Sequence, residues 1–121
     1  MFVTVYSAKC IGIEAVGVSV ETHVDLGIGI HLVGLADVAV KESLLRTMTA
    51  LVTLGYRIPG KRIVINMAPA DLRKNGSLYD VPIAVSIVAA TGQMELPNIE
   101  KYLILGELGL DGSIRAIPGA L

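Results

Sequence analysis

Residues 78–92 read LYDVPIAVSIVAATG, and this stretch decides the fold. Val81, Ile83, Ala84, Val85, Ile87, Val88, Ala89 and Ala90 cover every side of a helix, and a helix that is apolar all round is buried. Asp80 stands where a cap belongs, and Pro82 falls in the first turn, where its missing N–H has no partner in any case. Gly92 stops the helix. The longest run between charges, residues 81–94, includes Pro82, Ser86, Thr91, Gly92 and Gln93. It is too short and too interrupted for a membrane span of about 20 apolar residues. A helix of this kind must sit at the centre of a layered domain.

Working outward, residues 62–67 (RIVINM) predict a short apolar strand. Before it, Val40, Leu44, Met48, Leu51 and Gly55 recur at three or four, the spacing of one helix face. Asp37 can cap that helix, and Gly55 can take the left-handed conformation past its end. The first third alternates with period two: Val16, Val18, Val20 and Thr22 oppose Gly17, Ser19, Glu21 and His23. This predicts strands over 2–6, 11–24 and 28–33, with turns at 9–12 and 25–29, as an antiparallel meander. Downstream, strands are expected over 102–107 and 113–117, joined through Asp111–Gly112. The whole is a single α/β (α+β) domain over 1–121, with both helices packed on one sheet face. The final residues, AIPGAL, have no polar tail, so a longer parent chain is expected.

Composition narrows the function classes. The chain has 121 residues, 53% apolar and 17% charged, with a net charge of −1. A disordered chain would be poor in branched apolar residues and rich in net charge. No basic region precedes an apolar block and cleavage site, so no signal peptide is read. The single Cys10 makes no internal disulfide, which fits the cytoplasm. Five of the ten basic residues, Arg57, Lys61, Arg62, Arg73 and Lys74, fall within residues 57–74, where Asp71 is the only acid. That local surplus could meet an anionic partner or simply form a solvated rim.

Several motifs fall short of a site. Residues 55–62, GYRIPGKR, match the glycines and lysine of G-x-x-x-x-G-K-[ST], but Arg62 replaces the hydroxyl that would hold Mg²⁺. A phosphate loop also follows a strand and opens a helix, whereas here a helix ends and a strand begins. Gly27, Gly29 and Gly34 do not form the dinucleotide pattern. His23, His31 and Cys10 lack metal-ligand pair spacing. Ser77, after Asn75–Gly76 and three residues from Lys74, reads as a turn or cap residue, with nucleophilic catalysis as the alternative.

Three stretches carry a resemblance: GLADVAVKES (34–43), VINMAPADLRKNGSLYDVPIAVSIVAATGQ (64–93) and YLILGELGLDGSIRAIPGAL (102–121). From about Tyr6 to the end the chain resembles the N-terminal domain of the magnesium-chelatase-like AAA+ proteins, the YifB/ComM group. The resemblance implies a fold similar to the Lon proteolytic domain, the ribosomal protein S5 second-domain type, as a mixed sheet with two main helices. The end of the chain is also similar to the corresponding domain of the RadA recombination protein. An AAA+ module binding ATP and Mg²⁺ is implied beyond residue 121, in a ring-shaped homo-oligomer that handles branched DNA during natural transformation. The family name reflects ATPase similarity rather than metal insertion.

Lon-type proteases use a Ser–Lys dyad. Aligning Gly76 with the first glycine of their G-P-S-A-G segment puts Leu78 at the serine. Aligning Gly106–Glu107 with their G-E puts Leu121 at the lysine. Neither leucine can perform the chemistry, so the resemblance implies a non-catalytic domain that makes subunit or DNA contacts, with no cofactor or metal of its own. Arg57, Lys61, Arg62, Arg73 and Lys74 are then its nucleic-acid contact residues. A one-residue slip restores Ser77, with Lys74 or a later lysine as base, which keeps a Lon-like peptidase as an alternative. A protein–protein interaction module without a nucleic-acid role is the other.

Overall fold

A computed structural model of the protein describes residues 1–11, 14–34, 38–58, 60–69 and 78–115. In chain order its elements are β1 (Phe2–Ile11), β2 (Glu14–Asp25), β3 (Gly29–Val33), α1 (Val38–Thr53), β4 (Arg62–Ala68) and α2 (Asp80–Ala90). A 3-10 turn (Ile99–Lys101) and two short strands, β5 (Glu107–Leu108) and β6 (Ile114–Arg115), complete the order. Three strands, helix, strand, helix and two strands is the order that the hydrophobic periods predict.

The pairing differs from the predicted meander. β1 and β2 form an antiparallel pair, but the sheet order is β1-β2-β4-β3, with β4 antiparallel to β2 and parallel to β3. A parallel neighbour requires a crossover, and α1 supplies it between β3 and β4. β4 takes the inner position because Ile63, Ile65 and Met67 are fully buried there. Of the turn expected at 9–12, residues 9–11 are strand instead, since β1 runs on to Ile11 and Lys9 pairs with Val16, and residue 12 lies outside the described residues.

One sheet face carries the core. Val5, Val18, Val20, Ile63 and Ile65 meet Val40, Ala50, Leu51, Ile83 and Ile87 in a single buried cluster. α2 lies against β1 and β2, and α1 lies against α2. The inner face of α1 departs from the expected apolar stripe. It buries Ser43 and Thr47 beside Val40, Ala50 and Leu51, while Leu44 and Met48 are only half-buried. Gly55 has φ +93 just past the helix, as its spacing predicts. The position of Asp37 lies outside the described residues.

Gly34 ends β3 at φ +103, and a Cβ built there would lie 2.1 Å from the Met67 carbonyl oxygen. Only glycine permits that approach of two backbones. At the other edge, residues 102–107 do not make the continuous strand expected of them. Ile104 N donates to Tyr6 O at 2.8 Å, after which the chain moves to a different neighbour: Gly106 N donates to Leu78 O at 2.9 Å and Val81 N to Gly106 O at 3.1 Å. The segment serves two partners in turn, so its ladder is broken. The Asp111–Gly112 turn forms as predicted, with Gly112 at φ +87. Of the strand expected over 113–117, Ile114–Arg115 is observed, and residues 116–117 lie outside the described residues.

Candidate functional site

The most developed polar centre is built on Asp80, the first residue of α2. Its side chain is fully buried and does not cap the helix, whose N-cap is Tyr79 without a side-chain hydrogen bond. The carboxylate faces α1 instead. Arg46 Nε donates to Oδ2 at 2.7 Å and Arg46 Nη2 to Oδ1 at 3.0 Å, while Ser43 Oγ also donates to Oδ1. Leu108 N, in β5, donates to Oδ2 at 2.9 Å, and Thr47 Oγ1 donates to the Asp80 carbonyl at 3.2 Å.

Each donor is placed by its element. Ser43, Arg46 and Thr47 are three and four apart, so one helix face offers all of them. Arg46 matches the two carboxylate oxygens with two parallel N–H groups, the strongest common ion-pair geometry. The hydrogen bond to Asp80 raises the Arg46 pKa above its ordinary value, against burial, which lowers it. The α2 N-terminus adds a favourable dipole for the carboxylate. With its lone pairs taken by Ser43, Arg46 and the Leu108 amide, Asp80 is a joint between α1, α2 and β5. Sequence reasoning assigned Asp80 to a cap and missed its partners. The available signal was the polar triplet Ser43, Arg46 and Thr47, set three and four apart along α1.

A second polar chain ties α2 to the sheet: Thr22 Oγ1 donates to Ser86 Oγ at 2.8 Å, and Ser86 Oγ donates to Ile83 O at 2.8 Å.

Of the predicted nucleic-acid contact residues, Arg57, Lys61 and Arg62 are described and exposed. Gln93 holds the Arg57 backbone on both sides, accepting from Arg57 N at 2.8 Å and donating to Arg57 O at 2.7 Å. Lys61 borders a cleft with Met1, Val24 and the α2 C-terminus at Ala90–Gly92. Arg62 is partly neutralised, its Nη1 lying 3.5 Å from Asp25 Oδ2. Arg73, Lys74 and Ser77 lie outside the described residues, which therefore include three of the five surplus cations and neither member of the Ser–Lys pair. The segment 55–62 runs from the end of α1 to the start of β4, the reverse of a phosphate-binding context.

His23 and His31 project from the open sheet face on either side of Val64, with which both are in register. His23 Nδ1 lies 3.7 Å from Asp25 Oδ2. Among the described residues no group of three or more His, Cys, Asp or Glu side chains could hold a metal ion. Nor, among them, is any helix long and apolar enough to cross a membrane.

Residues 20–121 match the family described as subunit ChlI of Mg-chelatase. Over 118 residues, 97% of the chain, it is 42% identical to the protein YifB of Salmonella typhimurium and 41% identical to YifB of Escherichia coli. It is 39% identical over the same span to the competence protein ComM of Haemophilus influenzae. The match spans 23% of the length of each of these relatives. The chain belongs to the magnesium-chelatase ChlI-like family, and YifB and ComM are its homologues.

Proposed function

We propose that this chain is the non-catalytic N-terminal domain of a magnesium-chelatase-like AAA+ ATPase, with a Lon-protease-like fold of the ribosomal protein S5 second-domain type. In the parent it supports ATP-driven DNA remodelling in the cytoplasm through contacts with neighbouring subunits or with DNA. The observation that carries this is the Asp80 joint: the best-formed polar centre uses its carboxylate to bind two helices and a strand together. ATP and Mg²⁺ belong, in this view, to a module beyond residue 121. The competence name of the Haemophilus influenzae relative accords with a role in DNA handling.

Removing residues 1–121 from the full-length protein tests the assignment. ATP hydrolysis should persist within a few fold, while processing of branched DNA should be lost. Unchanged DNA processing would overturn it. Peptide hydrolysis by the full-length protein that Ser77→Ala abolishes would favour the Lon-like peptidase instead.

A further inference from the structure

The sheet order dictates how β2 connects to β3. Because β4 lies between them, the chain leaving β2 must cross the start of β4 to enter β3. Asp25 and Gly29, the two feet of this arch, are both in register with Arg62. Leu26, Gly27 and Ile28 alone bridge two strand spacings, roughly 10 Å, which leaves the arch little slack. Gly27 crosses at φ +138, and a Cβ built on it would lie 2.9 Å from Arg62 Cβ, so the loop rests on the arginine stem. Polar residues would suit such a place. Instead Leu26 and Ile28 stand 90% and 87% exposed, above every other large apolar side chain among the described residues.

We infer that Leu26 and Ile28 form a wedge that inserts between the bases of DNA, with the cations at its foot on the phosphates. This rests on the DNA role proposed above and names the residues that carry it. Two aliphatic side chains on a taut arch are far smaller than the roughly 800 Å² per partner of a standard protein interface. They match the small apolar wedges, leucine and isoleucine among them, that part a base step while neighbouring cations hold the backbone. The charges are placed accordingly. Lys61 and Arg62 pass beneath the arch as β4 begins, and residues 54–62, which lead into it, bring three cations and no acid. Gln93 pins the Arg57 backbone through its 2.8 and 2.7 Å hydrogen bonds, so this segment is held in place before any partner arrives. Of the acids at this end, Asp25 is engaged by Arg62 at 3.5 Å, and Glu95 lines a separate cleft with Met1 and Pro97.

A forked duplex with 2-aminopurine beside the branch point, titrated with the full-length protein, tests this, because that base brightens when unstacked. Wild-type binding should raise its fluorescence several-fold. The double variant Leu26→Ser, Ile28→Ser should lose most of the rise and bind about tenfold more weakly. Its salt dependence should keep the wild-type slope, since no cation is removed, and its Tm should not move, since side chains this exposed pack against little. Lys61→Glu should do the reverse, keeping the rise at saturation and flattening the log–log salt slope by roughly 0.9. A double variant that brightens the base as the wild type does overturns the wedge and leaves the DNA role standing. A wild type that binds no DNA removes that role and the wedge with it. Unstacking that survives in the double variant while self-assembly or binding to anionic phospholipid vesicles is lost gives the tip to a neighbouring subunit or a membrane, and overturns the inference equally.

Discussion

Arg46 grips Asp80 with two hydrogen bonds, 2.7 Å from Nε to Oδ2 and 3.0 Å from Nη2 to Oδ1, joining the two helices across 34 residues of chain. The Asp80 side chain has no exposed surface, while that of Arg46 keeps 24%. Removing one partner therefore strands the other charge unequally.

Asp80→Ala should destabilise the chain by about 3–5 kcal/mol, because Arg46, Ser43 and the Leu108 amide all lose their acceptor. Arg46→Ala should cost less, about 2–3 kcal/mol, although it leaves the buried carboxylate short of its counter-ion. Arg46→Lys should recover only part of that, since a lysine cannot reproduce the paired N–H geometry. Urea unfolding followed by circular dichroism gives all three.

The Arg46 shift fixes the pH behaviour of this joint. Its pKa is raised, with the Asp80 hydrogen bond as the first cause. The stabilisation from a raised basic group is complete below the unfolded pKa and is lost only as pH rises through the folded one. Arg46 thus contributes no alkaline loss of stability between pH 7 and about pH 10. A wild-type minus Arg46→Ala stability difference that shrinks over that window would contradict this.

Gln93 fixes the loop carrying Arg57 through two backbone hydrogen bonds at 2.8 and 2.7 Å. Gln93→Ala should speed hydrogen exchange at the Arg57 amide by about tenfold, with only about 1 kcal/mol lost globally because the site is exposed. Gln93→Glu keeps the acceptor and loses the donor, so the Arg57 amide should stay protected. Amide exchange by NMR separates the two variants.

At Gly34 the obstacle is backbone. A Cβ there would stand 2.1 Å from the Met67 carbonyl oxygen at a φ of +103. Gly34→Ala should therefore cost about 3 kcal/mol or more and disturb the β3–β4 pairing. A thermal melt within about 2 °C of wild type would refute the close approach.

The basic residues give a graded expectation for DNA binding by the full-length protein. Arg57→Glu and Lys61→Glu should each weaken binding, and each lost phosphate contact should flatten the salt dependence by roughly 0.9 in log–log slope. Arg62→Glu should do less, because Asp25 already lies 3.5 Å from its guanidinium. Arg73→Glu combined with Lys74→Glu probes the remaining two residues of the surplus. Affinity unchanged across salt for all of them would remove this face from DNA contact.

Much of the fold was legible from local pattern. The all-round apolar run of α2 predicts its central burial, the period-two alternation of β2 predicts its buried face, and the spacing of α1 predicts a helix that ends before Gly55. These properties depend on which side chains must leave water, and that is written residue by residue. Strand order was not legible in this way. Alternation tells which face of β3 turns inward but not whether β2 or β4 lies beside it, and the α1 crossover decides for β4.

The site divides along the same line. Family membership follows from the sequence, because long runs such as 64–93 can be compared residue by residue. The role of Asp80 does not, since a carboxylate before a helix has the same local signature whether it caps that helix or reaches another. Only the packing of α1 against α2 brings Ser43 and Arg46 to it, and only burial makes that meeting costly to break.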